Sequence, residues 1–173
     1  MKGKKVKKDT QRISLYRVRL EKDRDLIKER RAIGIVAPEE IVEVIRPVFD
    51  GMDREQFVVL YLNMKLHPIG VEIIAIGGSY ACNVEIKNVF KGAIVANAVA
   101  IAVAHNHPSG NVMPSPGDII ATRKLNAAME TIDVHLQDHI IFGYPDYLSM
   151  KDCGLLAHIL KPENQVIQTE EAE

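Results

Sequence analysis

Only two cysteines occur in the 173 residues, Cys82 and Cys153. They lie far apart and form no C-x-x-C pair, which excludes a disulfide framework and a cysteine-rich zinc site and fits a reducing cytosol. Long apolar runs are also missing. The longest, from Ala93 to Ala104, is broken by Asn97 and is too short to cross a bilayer. The stretch after Met1 is basic, with no apolar segment behind it of the kind that directs export. A cytoplasmic protein without a membrane partner is therefore expected. Net charge is scarce as well: 22 basic against 23 acidic residues leaves −1, which removes any overall pull toward nucleic acid or lipid. The chain has no internal repeat and no low-complexity segment.

What is present is enough apolar matter for one core. With 47% hydrophobic and 26% charged residues, a chain of this length folds as a single domain without staples. Its charge gathers at the ends, in Lys2, Lys4, Lys5, Lys7, Lys8 and Arg12 at the start and in Glu163, Glu170, Glu171 and Glu173 at the finish. This predicts a basic tail with a short strand over residues 1–36, a domain over 37–160 and an acidic tail over 161–173. The basic start can meet phosphates but serves as well as solvated chain, so any nucleic-acid contact is expected to be weak. The sequence sets no oligomeric state.

Alternation of Tyr16, Val18 and Leu20 with arginines predicts the short strand over 14–20. From Pro38, the spacing of Ile41, Val42, Val44, Ile45, Val48 and Phe49 predicts an amphipathic helix ending near Gly51, with Glu39 and Glu40 in its first turn. Apolar runs over 57–62 and 71–76 predict a hairpin whose turn holds Pro68 and Gly70. A helix over 86–96 and a buried strand over 99–104 follow, then a helix over 116–130 and a strand with Val134, Leu136 and 139–142, closed by a Gly-Tyr-Pro turn. Helices and strands interleave, so the class is α/β or α+β, with a central mixed sheet flanked by helices.

Chemistry concentrates between His105 and Asp118. Two histidines at i and i+2 on extended chain project to one face and can grip one ion. Two imidazoles and a carboxylate suit Zn²⁺ and leave the fourth tetrahedral position for water, the pattern of a catalytic site. Asp118 is the obvious carboxylate. Ser115, Pro116 and Asp118 also form a helix start, with Ser115 as N-cap and Asp118 closing the cap, and the two readings of Asp118 are compatible. His139, beside Asp138, is expected to be a satisfied core histidine or a support behind the ligands rather than a ligand. A zinc nucleobase deaminase is excluded because neither H-x-E nor P-C-x-x-C occurs.

The pattern H-x-H-P-x(6)-S-x-x-D resembles the JAB/MPN (JAMM) metalloproteases, and His105-Asn106-His107-Pro108-Ser109-Gly110 followed by Pro114-Ser115 and Asp118 resembles their RadC-like branch. The likeness extends over about residues 53–155 and covers the catalytic domain only. It implies a JAB/MPN fold of cytidine-deaminase-like architecture, zinc held by His105, His107 and Asp118, and a polypeptide substrate cut at a peptide or isopeptide bond. It further implies that Glu55, in Glu55-Gln56-Phe57-Val58-Val59-Leu60, is the general base, whereas Glu72 lies within a strand and Glu85 just before a helix. Ser115 would position the water or stabilise the tetrahedral intermediate, besides its capping role. Two departures qualify the likeness. No helix-hairpin-helix is found in residues 1–50, so DNA binding through such a module does not carry over. Lys87-Asn88 also stands where relatives often have Arg-Glu. The rival reading is a non-catalytic interaction module associated with DNA repair or recombination.

Overall fold

Two strands buried along their whole length, β1 (Gln56–Leu62) and β3 (Ala100–Asn106), form the middle of the protein. The computed structural model describes residues 34–77 and 84–160. The expected strand over 14–20 and both charged tails lie outside them.

Because side chains alternate along a strand, β1 feeds two cores. Phe57, Val59 and Tyr61 enter one; Val58, Leu60 and Leu62 enter the other. Helix α1 (Pro38–Phe49) covers the second face with Ile41, Val42, Val44, Ile45 and Val48. On the first face lie α2 (Ile86–Val95), α3 (Pro116–Glu130) and the short α4 (Leu155–Ile159), through Val89, Ala93, Leu125, Met129, Leu156 and Ile159. Each large aliphatic chain buried in this way contributes about 1.5–3 kcal/mol of transfer free energy. The result is helix, sheet, helices, the expected α+β class.

The sheet is mixed and ordered β2-β1-β3-β4-β5, where β2 is Pro68–Ile76, β4 is His135–Phe142 and β5 is Tyr147–Ser149. Only β3 and β4 are parallel, joined through α3; the other pairs are antiparallel. The predicted hairpin is β1–β2, although its turn is tighter than expected. Asn63 Oδ1 accepts from the N–H groups of Lys65 (2.9 Å) and His67 (3.1 Å), which lets β2 begin at Pro68, paired with Leu62. Helix α1 stops at Phe49, two residues before the expected end, because Gly51 turns the chain at φ +74°. Its start is as expected, with Pro38 opening the helix and Glu40 Oε2 accepting from the N–H groups of Val36 (2.6 Å) and Ala37 (3.0 Å).

One boundary matters for the site. Strand β3 does not end at Ala104 but continues through His105 and Asn106, held by β1 and β4 on its two sides (Phe57↔His105, His105↔Ile141, Asn106↔Phe142). The motif thus begins inside the sheet, at the carboxyl ends of the two parallel strands, where open α/β sheets bind ligands.

Candidate metal centre

His105 is 1% exposed and fixed by pairing on both sides. His107 lies just past the strand, with its N–H on the Phe142 carbonyl (2.7 Å). The loop behind it is tied to itself: Gly110 N–H donates to the His107 carbonyl (2.9 Å), and Asn111 Oδ1 accepts from Met113 N–H (3.0 Å). Beneath the loop, a Cβ at Gly143 would overlap the Gly110 carbonyl, so the Gly143-Tyr144-Pro145 turn needs glycine there. Asp118 arrives from α3. Ser115 Oγ accepts from Asp118 N–H (3.2 Å), while Asp118 Oδ2 accepts from Ser115 N–H and Oγ–H (both 2.7 Å). The predicted cap is present, and the side chain that closes it is also the carboxylate facing the histidines.

The three groups converge, their ligand atoms lying within 4.8 Å of one another. His105 Nε2 is 3.0 Å from His107 Nε2 and 3.3 Å from Asp118 Oδ1; His107 Nε2 is 3.6 Å from Asp118 Oδ2. Tetrahedral Zn²⁺ with donors about 2.0–2.1 Å away needs them ~3.4 Å apart, so these spacings fit. Proton placement agrees. His107 Nδ1 lies 2.5 Å from the Asn111 carbonyl, which can only accept, so that nitrogen carries the hydrogen and Nε2 presents a lone pair. A carboxylate beside such lone pairs repels them unless a cation sits between. Burial pushes the Asp118 carboxyl up, but the neighbouring His105 imidazole and then the two Ser115 donors outweigh it and hold Asp118 well below the usual carboxylate range. It is an anion at neutral pH, as a ligand must be.

Glu55 is half-buried and immediately precedes β1. The antiparallel pairing of Phe57 with His105 puts Glu55, two residues before Phe57, at the same end of the sheet as His107, two residues after His105. The other glutamates are engaged elsewhere. Glu72 Oε2 accepts from the Tyr61 hydroxyl (2.7 Å), whose pKa burial and then this carboxylate push upward. Glu85 precedes α2 and pairs with Lys87 (3.0 Å).

Two residues that the motif spacing alone does not reveal also bear on the site. His139, 1% exposed, puts Nε2 2.8 Å from His105 Nδ1, with the Phe57 ring against both imidazoles. Burial, and then neighbouring His105, hold His139 well below the ordinary histidine value, so it is neutral. Asp138 Oδ1 braces it by accepting its backbone N–H (2.7 Å). Asn106, between the two histidines, accepts from Gln56 N–H (2.7 Å) and donates to the Arg54 carbonyl (3.0 Å), anchoring the chain on either side of Glu55. Asn106→Ala is expected to cost about 1–3 kcal/mol in denaturant unfolding, since it orphans a buried N–H. A loss near zero would mean that water replaces the amide.

Known proteins share this arrangement's sequence. UPF0758 protein ABC2615 of Shouchella clausii is 38% identical over 125 residues, which are 72% of this chain and 54% of that protein. The UPF0758 protein of Carboxydothermus hydrogenoformans is 39% identical over 119 residues (69% and 53%), and that of Methanosarcina mazei 34% over 122 (70% and 53%). The chain thus spans about half the length of these relatives. The RadC-like JAB domain family matches residues 35–155, starting well before position 53 and taking in α1. With the sheet, helices α1 to α3 and the His-His-Asp cluster all inside that span, the chain belongs to the RadC-like JAB domain family.

Proposed function

We propose that the chain is a zinc-dependent hydrolase that cleaves a peptide or isopeptide bond with an activated water. The observation that carries the reading is the convergence of His105 Nε2, His107 Nε2 and the Asp118 carboxylate, three donors and not four among the described residues. Three ligands leave a coordination position open, as catalytic zinc sites do and structural ones do not. When bound, zinc supplies Lewis acidity, which lowers the pKa of water toward about 7 and polarises a carbonyl.

The protein's own groups do the rest. Glu55 Oε takes the proton that water loses as its oxygen attacks the carbonyl carbon, and then gives that proton to the leaving nitrogen as the C–N bond breaks. The products are a carboxylic acid and an amine. Asn106 keeps the Glu55 backbone in step with the ligand strand. Ser115 orients the Asp118 carboxylate through two hydrogen bonds, and its hydroxyl would turn from that carboxylate to steady the attacked carbonyl's oxygen. No helix among the described residues is long and apolar enough to cross a membrane.

The test is a library of peptides and isopeptide-linked polypeptides presented to zinc-loaded protein, beside titrations of single- and double-stranded DNA at physiological salt. Amide cleavage is expected. DNA binding should be weak and fall steeply with salt, since the main lysine cluster is confined to residues 2–8. Tight DNA binding that survives deletion of residues 1–12, without amide cleavage, would instead favour the interaction-module reading.

A further inference from the structure

Two of the three converging ligands are also joined by a second route, which runs behind them through buried side chains. Its direction is set at one end by a group that cannot donate. Thr122 Oγ1 lies 2.6 Å from the backbone carbonyl of Asp118, so the single hydroxyl hydrogen points there. The same oxygen lies 2.7 Å from His139 Nδ1 and, with its hydrogen committed, can only accept, so His139 carries its hydrogen on Nδ1. Thr122 and His139 are each 1% exposed, which leaves no bulk water to supply an alternative partner. A neutral imidazole has one N–H, so His139 Nε2 offers a lone pair to His105 Nδ1, 2.8 Å away. His105 must then hold its hydrogen on Nδ1 and turn the Nε2 lone pair toward His107 and Asp118.

We propose that Thr122 and His139 are positioning residues that lock His105 in its metal-accepting tautomer and tie it to the backbone of its fellow ligand Asp118. The proposal rests on the reading of His105, His107 and Asp118 as metal ligands. A ligating histidine normally donates its remote N–H to a carboxylate, a backbone carbonyl or water. Here the acceptor is a second imidazole, which can bind in either direction, so it needs the threonine to fix its orientation. The circuit spans three elements: β3 gives His105, β4 gives His139, and α3 gives both Thr122 and Asp118. Without the hydroxyl, His139 is free to move its hydrogen to Nε2 and donate to His105 Nδ1. The hydrogen of His105 then sits on Nε2, where the cation belongs.

Thr122→Val keeps the branched shape and removes only the hydroxyl; Thr122→Ser keeps the hydroxyl. Zinc affinity is measured by competition with a chromophoric chelator. The tautomers of His105 and His139 are read by long-range ¹⁵N–¹H correlation in metal-free protein near pH 8, above the ordinary histidine range. Wild type is expected to show Nδ1–H on both rings. Thr122→Val should lose zinc affinity by about 10–100-fold and show Nε2–H on His105, with Thr122→Ser close to wild type. A merely structural threonine would change stability and leave the tautomers alone. Nε2–H on His105 in wild type, or unchanged affinity and tautomers in Thr122→Val, overturns the proposal while the ligand reading stands. A wild type that takes up no zinc fails the ligand reading and overturns the proposal with it.

Discussion

Glu55→Gln is expected to lower kcat by about 10²–10⁴ while the protein keeps its zinc, because the amide preserves size and polarity but accepts no proton at neutral pH. The position explains why the loss should be selective. Glu55 sits just outside β1, and its backbone neighbours are held by Asn106, so the substitution should leave the sheet and the His-His-Asp cluster undisturbed. KM should change little, since the lost step is proton transfer rather than binding. Glu85→Gln is the control: that carboxylate pairs with Lys87 at the start of α2, and its loss should leave turnover as it was. Zinc lost along with activity in Glu55→Gln would make Glu55 a ligand. Activity that survives in Glu55→Gln and disappears in Glu72→Gln or Glu85→Gln would move the base.

The second large effect concerns the metal. Wild-type protein saturated with zinc and desalted should hold about one ion per chain, and the double variant His105→Ala with His107→Ala should hold almost none by elemental analysis. Removing either imidazole alone should cost more than the roughly 10–100-fold expected for a partner behind the ligands. Chelation should nevertheless leave the protein folded. Both apolar cores are closed by the sheet and four helices without help from an ion, and a site with an open position is not what holds such a domain together. Circular dichroism that collapses on chelation would make the zinc structural. A stoichiometry unchanged in the double variant would put the metal elsewhere.

The converging His-His-Asp cluster was legible in the sequence because both of its geometric rules are local. Alternation puts His105 and His107 on one face, and capping chemistry puts Asp118 in the first turn of α3. Most elements were legible for the same reason, each being long enough to show its period. β5 and α4 were not, with only three and five residues: less than one alternation with its repeat, and little more than one helical turn. The end of β3 was misplaced because an apolar run stops at Ala104, whereas hydrogen-bond pairing to β1 and β4 carries the strand two polar residues further. His139 was expected from the sequence as a core histidine or a support behind the ligands, but its links to His105 and Thr122 could be seen only through register and packing. Those partners are 34 and 17 residues away, and no spacing rule reaches that far. Asn106 carries no local signal of its role, since its amide bonds to residues 50 and 52 positions away.

Asp118 closes the cap of α3 with the same carboxylate that faces the imidazoles, so the fraying of that helix would be coupled to ion binding at the cluster. Opening the first turn frees the Ser115 and Asp118 amide protons to exchange with solvent, and the same motion withdraws a donor from the ion. An ion that holds the carboxylate must slow that exchange by the factor by which the closed turn favours the ion, since linkage is reciprocal. The first turn of α3 thus becomes a reporter of metal saturation, legible in amide-exchange rates even when no substrate is known.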